Sequence, residues 1–334
     1  MTEFSIIKPE KDMLNKFVSK NKYATIFQTG HMLDIYHGVP DCEPLALAVV
    51  DDNDEILASL VSIKFTEISE IGYLSSHITI RDAPLWVNSE CGKSAALALI
   101  NKHDKITKRG SLYNRIYSNS NAAMSDLLCS CDYNYEDNLN FLIDLNRTEE
   151  ELWSSLGKKK RNGIRQAQKN NLVIKEVENY DELKSFYNLL SETSETAKIP
   201  VKDFKLFYNV YNILVPKGLS KIYLAIYDGL PIAGILTLNY NNTIYDWYAC
   251  SSRKYLHLHP NEYLVWNILS WGAKNGYSTF DFGGAGSPKV KYTVRNFKKQ
   301  FGGTLVNYGT YTKINKPLTF KVCKKCYELY CKIL

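Results

Sequence analysis

The chain has 334 residues, 45% of them apolar and 23% charged, which is close to the globular average and excludes a disordered, collagen-like or coiled-coil protein. At roughly 150 residues per domain, this length predicts two domains. The 41 Lys and Arg residues against 35 Asp and Glu residues leave a formal charge of +6, which permits a polyanionic partner without indicating one. Residues 1–12 contain no secretory signal, and no apolar run approaches the ~20 residues of a membrane span. We therefore expect a soluble, cytoplasmic protein.

The eight cysteines are expected to be free thiols, as is usual in a reducing compartment. Cys323 and Cys326 form half of a zinc-ribbon motif, but no second pair or suitably spaced histidine follows them. His257 and His259 also lack a third ligand nearby in sequence. We therefore expect no metal site, and we expect Cys323 and Cys326 to lie on a helix.

The first half of the chain has the pattern of an α+β unit. Its predicted elements are a strand at 4–7, helices at 10–19 and 31–36, an antiparallel meander over 45–80, a helix at 93–106, a strand at 112–117, a helix at 122–129 and a strand at 139–145. The joining segment 147–169 is predicted to be mostly helical, because Thr148 followed by three glutamates is typical of a helix N-terminus.

The second half repeats this order of elements. Its predicted elements are a strand at 172–177, helices at 180–190 and 201–214, strands at 222–227, 232–240 and 243–249, a helix at 261–274, a strand at 279–282 and a closing strand at 304–312. Residues 47–51 (LAVVD) also resemble residues 224–228 (LAIYD), and Asp228-Gly229 is a strong hairpin signal.

The repeated order is that of the N-acetyltransferase-like (GNAT) fold. It predicts two tandem GNAT-like domains, with mixed but mostly antiparallel sheets and helices on both faces. We place the first domain at residues 1–145 and the second at residues 146–314. Residues 315–334 are predicted to form a helix that packs back on the first domain.

The densest charge lies at residues 158–161 (KKKR). On a helix, Lys158, Arg161, Arg165 and Lys169 recur every three or four residues and form a basic stripe that can follow a phosphodiester or a pyrophosphate. A solvated helix face explains the same pattern, and the residues alone leave both interpretations open. The acidic residues lie at the other end of the predicted helix, which slightly favours an anion site.

Two further segments can carry chemistry. Residues 280–284 (FDFGG) end a strand in glycines, whose backbone N–H groups can meet an anion, although a tight turn explains the glycines better. In the following segment 296–303 (NFKKQFGG), Lys298 can neutralise an oxyanion or a phosphate, and Phe297 or Phe301 can stack on a ring or anchor a surface turn. No nucleophile elbow is present, so we do not expect a covalent acyl-enzyme.

Taken in this order, the segments resemble the FemABX family of aminoacyl-tRNA-dependent peptidyltransferases. The matching stretches are residues 156–172 (LGKKKRNGIRQAQKNNL), 228–236 (DGLPIAGIL), 260–264 (PNEYL) with Trp266, Gly276, 280–284 and 297–302 (FKKQFG). The resemblance covers about residues 140–312 and implies two acetyltransferase-like domains. It also implies transfer of an amino acid from its tRNA ester to an amine of a cell-wall precursor, by direct aminolysis with oxyanion stabilisation.

The resemblance implies roles for individual residues. The substrate-binding residues that it indicates are Lys158, Arg161, Arg165, Tyr248, Asn261 and Phe297. Among these, Arg161 and Arg165 would hold phosphates, Phe297 would position the tRNA end, and Tyr248 would line the cleft. Lys298 would stabilise charge at the reacting ester, and Asp281 is either a proton acceptor or a structural hydrogen-bonding residue.

The implied partners are aminoacyl-tRNA and a cell-envelope precursor that is lipid- or nucleotide-linked, with peripheral contact to the inner membrane face and no DNA. The chain departs from the family in two respects. It has no room for the tRNA-binding helical hairpin of longer members, and a phosphate-binding lysine expected just after Gln28-Thr29 is absent.

Two alternatives stay open. An N-acyltransferase of polysaccharide or envelope biosynthesis would use acyl-CoA, but residues 250–255 (CSSRKY) lack the glycines of a pyrophosphate loop, so CoA is disfavoured and no cofactor is expected. A non-catalytic RNA- or precursor-binding module would keep the basic stripe, and Lys298 would then be dispensable.

Overall fold

The chain folds into two α+β units, each with its own sheet and apolar core. Unit 1 consists of Met1–Asp137 with Tyr308–Leu334, and unit 2 consists of Asn138–Asn307. The computed structural model describes residues 4–21, 24–82, 84–118 and 122–333, without the side chains of 122, 123 and 327–333.

The β-strands are short at the edges of the sheets and reach eleven residues in the long hairpins. In chain order they are β1 (Ser5–Ile7), β2 (Cys42–Val50), β3 (Ile56–Thr66), β4 (Ser76–Arg81), β5 (Leu85–Trp86), β6 (Tyr113–Tyr117), β7 (Asn134–Glu136), β8 (Leu139–Asp144), β9 (Val173–Glu176), β10 (Ser220–Tyr227), β11 (Leu230–Tyr240), β12 (Thr243–Ser251), β13 (Thr279–Asp281), β14 (Thr304–Asn307) and β15 (Thr310–Ile314).

The α-helices follow the order expected from the sequence except for α10, which was not predicted, and for the joining segment, which contains two helices. They are α1 (Lys11–Ser19), α2 (Gly30–Tyr36), α3 (Glu90–Thr107), α4 (Ala122–Ser130), α5 (Glu149–Ser155), α6 (Lys158–Lys169), α7 (Tyr180–Ala197), α8 (Phe204–Ile213), α9 (Pro260–Lys274), α10 (Thr293–Lys299) and α11 (Pro317–Ile333).

The two sheets have the same strand order and direction. In unit 1 the order is β1-β2-β3-β4-β6-β15-β7, with β5 beside β3, and in unit 2 it is β9-β10-β11-β12-β13-β8-β14. In each sheet one internal pair is parallel, β4 with β6 and β12 with β13, and the other neighbours are antiparallel. This equivalence is the structural counterpart of the sequence duplication.

The position of one strand in each sheet differs from the sequence prediction. We expected residues 139–145 to complete the first domain and residues 304–312 to close the second. Instead β8 pairs with β13 and β14 in unit 2, while β15 pairs with β6 and β7 in unit 1. The predicted closing strand is divided at Gly309, whose positive φ of 74° turns the chain between β14 and β15. The unit boundaries therefore lie at 137/138 and 307/308 rather than at 145/146 and 314/315.

The joining segment forms two helices instead of one. Thr148 caps α5 with a capping box that includes Glu151. The helix ends at Ser155, Leu156 has an extended conformation, and Gly157 is the N-cap of α6. The acidic residues therefore belong to α5 and the basic residues to α6, so the expectation that they share one helix is wrong.

The predicted C-terminal helix is present as α11 in unit 1, where the ring of Phe320 packs edge-on against that of Tyr113 at 5.5 Å between centroids. Leu334 and the side chain of Cys331 lie outside the described residues. The described cysteines are free thiols, and Cys323 and Cys326 lie on this helix as expected.

A buried carboxylate holds β15 in unit 1. Asp104 of α3 accepts hydrogen bonds from Tyr133 Oη at 2.7 Å and Asn114 Nδ2 at 2.9 Å, and it forms an ion pair with Lys313 Nζ of β15 at 3.0 Å. Burial by itself raises the pKa of Asp104, but the hydrogen bonds from His103, Tyr133 and Lys313 outweigh burial and lower it. The ionised carboxyl therefore stabilises unit 1.

We expect Lys313→Met to lower the free energy of unfolding at pH 7 by about 2 kcal/mol, because it leaves a buried carboxylate without its cation. The effect should shrink as pH falls and the carboxyl is protonated in both states. The control is Lys64→Met, which breaks the pair of Lys64 with the exposed Glu43 and should cost less than about 1 kcal/mol. Urea unfolding at pH 7 and pH 4 measures both variants, and equal losses would contradict the role of Lys313.

Candidate functional site

The central feature of unit 2 is a divergence between two parallel strands. Residues Thr243, Ile244 and Tyr245 of β12 pair with Thr279, Phe280 and Asp281 of β13, and the pairing then stops. At Gly283, φ is 74°, and a Cβ atom there would lie 2.6 Å from the Asp246 carbonyl oxygen. Only glycine fits this position, because both the backbone conformation and the space exclude a side chain.

Cations of α10 hold the loop that follows β13. Lys298 Nζ donates to the carbonyl oxygens of Phe282 at 2.6 Å and Gly284 at 2.7 Å. Arg295 Nε donates to the Ala285 carbonyl oxygen at 2.8 Å, and its Nη2 also donates to the same loop. Two cationic side chains one helical turn apart therefore fix four carbonyl groups of the glycine-rich loop.

The N–H groups of the same loop bond within the protein. Gly283 N donates to Asp281 Oδ1 at 2.7 Å, and Gly284 N donates to Asn140 Oδ1 at 2.9 Å. Asn140 Nδ2 donates to Asp281 Oδ1 at 2.6 Å, which joins β8 to β13. The glycines therefore form a tight turn whose N–H groups have internal acceptors, and Asp281 positions this turn.

Three charged side chains influence one another at the divergence. Burial lowers the pKa of the Lys298 ammonium, and the carboxylates of Asp246 and Asp281 oppose that shift. The pKa of Asp246 is raised to about 6, mainly by burial; Lys298 opposes this rise and the charge of Asp281 adds to it. The site thus combines an ammonium with a carboxyl group that changes charge close to neutral pH.

Asp246 was not among the site residues predicted from the sequence. It lies in β12 beside a break in register, because Tyr248 pairs with Leu236 whereas Asp246 pairs with Thr237, which leaves Trp247 as an extra residue. Such a β-bulge changes the direction in which the neighbouring side chains point. The available signal was that Asp246 is the single charged residue of β12.

Lys160 also escaped the sequence analysis, although it belongs to the KKKR run. It is buried, and its Nζ lies 2.8 Å from Glu262 Oε1 and 3.5 Å from the ring centre of Phe297. Burial lowers the pKa of Lys160, and Glu262 opposes this shift. Lys160 therefore fixes the ring of Phe297 next to Lys298, and Phe301 packs against the same ring with 5.2 Å between centroids.

The other cations of α6 follow the predicted stripe with one difference. Lys158, Arg165 and Lys169 are exposed, and the guanidinium of Arg165 lies 5.3 Å from the ring centre of Trp153. Arg161 Nη1 instead donates to two carbonyl oxygens at the end of α5, of Ser154 at 2.9 Å and of Leu156 at 2.5 Å. Arg161 is thus attached to the protein by one nitrogen, and the exposed stripe consists of the other three cations with Lys159.

Tyr248 and Asn261 contact a different set of side chains from Lys298. The ring of Tyr248 packs against Phe207 with 5.1 Å between centroids, and Asn261 Nδ2 donates to Ser251 Oγ at 3.0 Å. Both residues lie near the C-terminal end of β12 and the start of α9. Of the predicted site residues, the structure therefore brings together Lys298 and Asp281, and Phe297 lies beside them on α10.

A serine, a histidine and an aspartate meet in unit 1, but they do not form an exposed catalytic group. His103 Nε2 lies 3.0 Å from Ser62 Oγ, whereas His103 Nδ1 lies 3.6 Å from Asp104 Oδ1. All three residues are buried, with at most 7% of any of them exposed. This group is part of the unit 1 core and is closed to a substrate.

Two other features are absent from the described residues. Within residues 4–21, 24–82, 84–118 and 122–333, no three His, Cys, Asp or Glu side chains come together as ligands for a metal ion. No helix in these ranges is long and apolar enough to cross a membrane.

The chain is similar in sequence to one domain family and to two curated proteins. Residues 157–299 match the acetyltransferase (GNAT) domain family. The lipid II:glycine glycyltransferases of two Staphylococcus epidermidis strains are each 21% identical to the chain over a match that covers 52% of it. The chain spans only 57% of the length of these curated relatives.

Solved structures share the fold across nearly the whole chain. FemX superposes with a TM-score of 0.72 at 16% identity, covering 96% of this chain and all of the FemX chain. The C-terminal domain of a putative lysylphosphatidylglycerol synthetase from Agrobacterium fabrum gives a TM-score of 0.63 at 11% identity, covering 93% of this chain and 94% of that one. The predicted tandem GNAT-like fold is confirmed. The chain is also similar in sequence to the lipid II:glycine glycyltransferases and in fold to FemX, which agrees with the resemblance to the FemABX family.

Proposed function

We propose that the chain transfers an aminoacyl group from aminoacyl-tRNA to an amine of a cell-envelope precursor. The observation that carries this proposal is the arrangement of Lys298, Asp246 and Asp281 where β12 and β13 diverge. The similarity to lipid II:glycine glycyltransferases supports an aminoacyl group as cargo and an envelope precursor as acceptor.

Lys298 is suited to stabilise the oxyanion of the tetrahedral intermediate. An ammonium has three N–H donors, and two of those on Lys298 are directed to the Phe282 and Gly284 carbonyls. These two bonds fix the nitrogen in place, so that the third donor can meet the developing charge without reorganisation. Burial strengthens this interaction, because the surrounding dielectric constant is lower than that of water.

Asp246 is the better candidate for proton acceptor. The Oδ1 atom of Asp281 already accepts bonds from Asn140 and Gly283, which makes that carboxyl a positioning group. With a pKa of about 6, Asp246 is ionised at pH 7 to 8 and is basic enough to assist the attacking amine. The amine forms the new C–N bond, its proton passes to Asp246, and the ester C–O bond breaks to release the tRNA hydroxyl, which takes up a proton.

The exposed cations of α6 provide a surface for the polyanionic donor. Lys158, Lys159, Arg165 and Lys169 lie on the same helix as Lys160, whose side chain supports Phe297. Helix α6, to which we assign phosphate binding, thus contacts Phe297 of α10, to which we assign the tRNA end. Trp153 beneath Arg165 holds that guanidinium in a defined position.

The backbone at the end of β12 disfavours acyl-CoA as donor. Ser251 N donates to Thr193 Oγ1 at 3.0 Å, and Ser252 N donates to the Ile232 carbonyl oxygen at 2.9 Å. A pyrophosphate loop would instead direct such N–H groups toward the cofactor. The absence of glycine from residues 250–255 agrees with these internal bonds.

A transfer assay tests the proposal directly. Purified protein is incubated with a pool of radiolabelled aminoacyl-tRNAs and an extract of envelope precursors, with and without prior RNase treatment. We expect label to enter a precursor only when the tRNA is intact. Labelling from radiolabelled acyl-CoA in a parallel tube, with none from aminoacyl-tRNA, would replace the proposal by the acyl-CoA alternative.

We expect Lys298→Met to lower the transfer rate by roughly 10²- to 10³-fold, the usual cost of losing one oxyanion donor. Because Lys298 also holds the loop, the matched control is Arg295→Gln, which removes hydrogen bonds from the same helix to the same loop. Rates and thermal unfolding are measured for both variants. Similar rate losses would show that Lys298 acts only by holding the loop, and an unchanged rate would favour the binding-module interpretation.

We expect Asp246→Asn to stabilise the fold while it lowers the transfer rate. The folded chain raises the pKa of Asp246 from 3.8 to about 6, so ionisation above that pH costs folding free energy that the amide avoids. The gain in unfolding free energy should therefore be full at pH 8 and absent at or below pH 3.8. Asp228→Asn, an exposed hairpin aspartate, is the control for both measurements. A wild-type transfer rate in Asp246→Asn would remove Asp246 from the mechanism.

A further inference from the structure

Glu262 has no role in the proposed reaction so far, although it belongs to the segment at 260–264 (PNEYL) that resembles the FemABX family. It lies in the first turn of α9, where its Oε1 accepts a hydrogen bond from Lys160 Nζ at 2.8 Å. The side chains of Glu262 and Lys160 are only 17% and 7% exposed. Each charge therefore depends on the other, because a buried ion without a partner is costly.

Helices α6 and α9 approach each other closely beside this ion pair. A Cβ atom at Gly163 of α6 would lie 3.0 Å from Nδ1 and 3.1 Å from Cγ of His259, the residue before α9. Lys160 lies about one helical turn before Gly163, and Glu262 lies about one turn after His259. The missing side chain at Gly163 thus permits the spacing at which Lys160 reaches Glu262.

The ammonium of Lys160 in turn contacts aromatic rings. Its Nζ lies 3.5 Å from the ring centre of Phe297 and 5.3 Å from that of Phe301. Attraction between a cation and a ring requires the charged form of the lysine. Burial lowers the pKa of Lys160, and the carboxylate of Glu262 opposes this shift. Glu262 therefore helps to keep a charged ammonium against the ring of Phe297.

We propose that Glu262 is a positioning residue for the donor substrate, and that through Lys160 it holds the ring of Phe297 in the orientation that binds the end of the tRNA. This role rests on the proposed function, in which Phe297 binds the tRNA end. Glu262 then acts on the binding of aminoacyl-tRNA and leaves the reaction of the bound ester unchanged. The segment at 260–264 thereby gains a function in donor binding.

The test removes both charges together, because a single substitution leaves a buried charge without its partner. Lys160→Met/Glu262→Met should keep most of its free energy of unfolding, since replacing a whole buried ion pair by apolar residues is often close to neutral. We expect the KM for aminoacyl-tRNA to rise about tenfold, within the range for loss of one base-stacking ring, while kcat stays within about twofold. Steady-state transfer and urea unfolding measure these quantities.

Two further sets of variants separate positioning from a merely structural role. Lys274→Met/Glu149→Met is the matched control, because it removes a lysine–glutamate pair, 2.5 Å between Nζ and Oε2, that joins α9 to α5. It should leave the KM unchanged. Phe297→Leu should raise the KM, and adding Lys160→Met/Glu262→Met to it should raise the KM no further, because both changes act through the same ring.

A wild-type KM in Lys160→Met/Glu262→Met, equal effects on kcat and on 1/KM, or a rise in KM that adds in full to that of Phe297→Leu would each overturn the positioning role and leave the proposed function intact. Absence of transfer by the wild-type chain would instead reject the proposed function and the role of Glu262 with it. Filter binding of uncharged tRNA supplies a readout without transfer, in which Lys160→Met/Glu262→Met should bind about tenfold more weakly than Lys274→Met/Glu149→Met.

Discussion

The candidate site depends on the separation of two parallel strands after only three paired residues. Once β12 and β13 part, the carbonyl oxygens of Phe282, Gly284 and Ala285 in the following loop accept hydrogen bonds from cations of α10. Gly283 makes the turn sterically possible, because it has a positive φ and approaches the Asp246 carbonyl closely. The half-buried ammonium of Lys298 is thus fixed near Asp246, whose carboxyl has a raised pKa.

The exchange of strands between the two halves of the sequence bears directly on this site. In unit 2, β8 occupies the place that β15 occupies in unit 1. Unit 1 completes its sheet with a strand from the C-terminal segment, whereas unit 2 completes its sheet with the first strand of its own segment. Asn140 of β8 bonds both to Asp281 and to Gly284. The loop after β13 is therefore supported by a residue that precedes most of unit 2 in the chain.

Much of the site could be predicted from local patterns, and the residues that escaped share one physical property. Lys298 and Asp281 stood out because they lie in short polar segments next to glycines and aromatic residues. Lys160 and Asp246 are significant because they are partly or fully buried, and burial is set by neighbours distant in sequence. Helical spacing does place Lys160 on the face of Ile164 and Ala167, which are both buried, so a signal for Lys160 was present.

The sequence by itself determined the elements, their order and the duplication, because apolar periodicity, helix caps and hairpin turns act over a few residues. It also determined the resemblance to the FemABX family, since the motifs occur in order along one stretch of chain. Only the tertiary structure decided that residues 139–144 belong to the second sheet and residues 310–314 to the first. Alternating apolar residues show which face of a strand is buried, but they do not specify the sheet that buries it. The tertiary structure also decided the pKa shifts of Asp246 and Lys298, because several strands and helices together bury these two side chains.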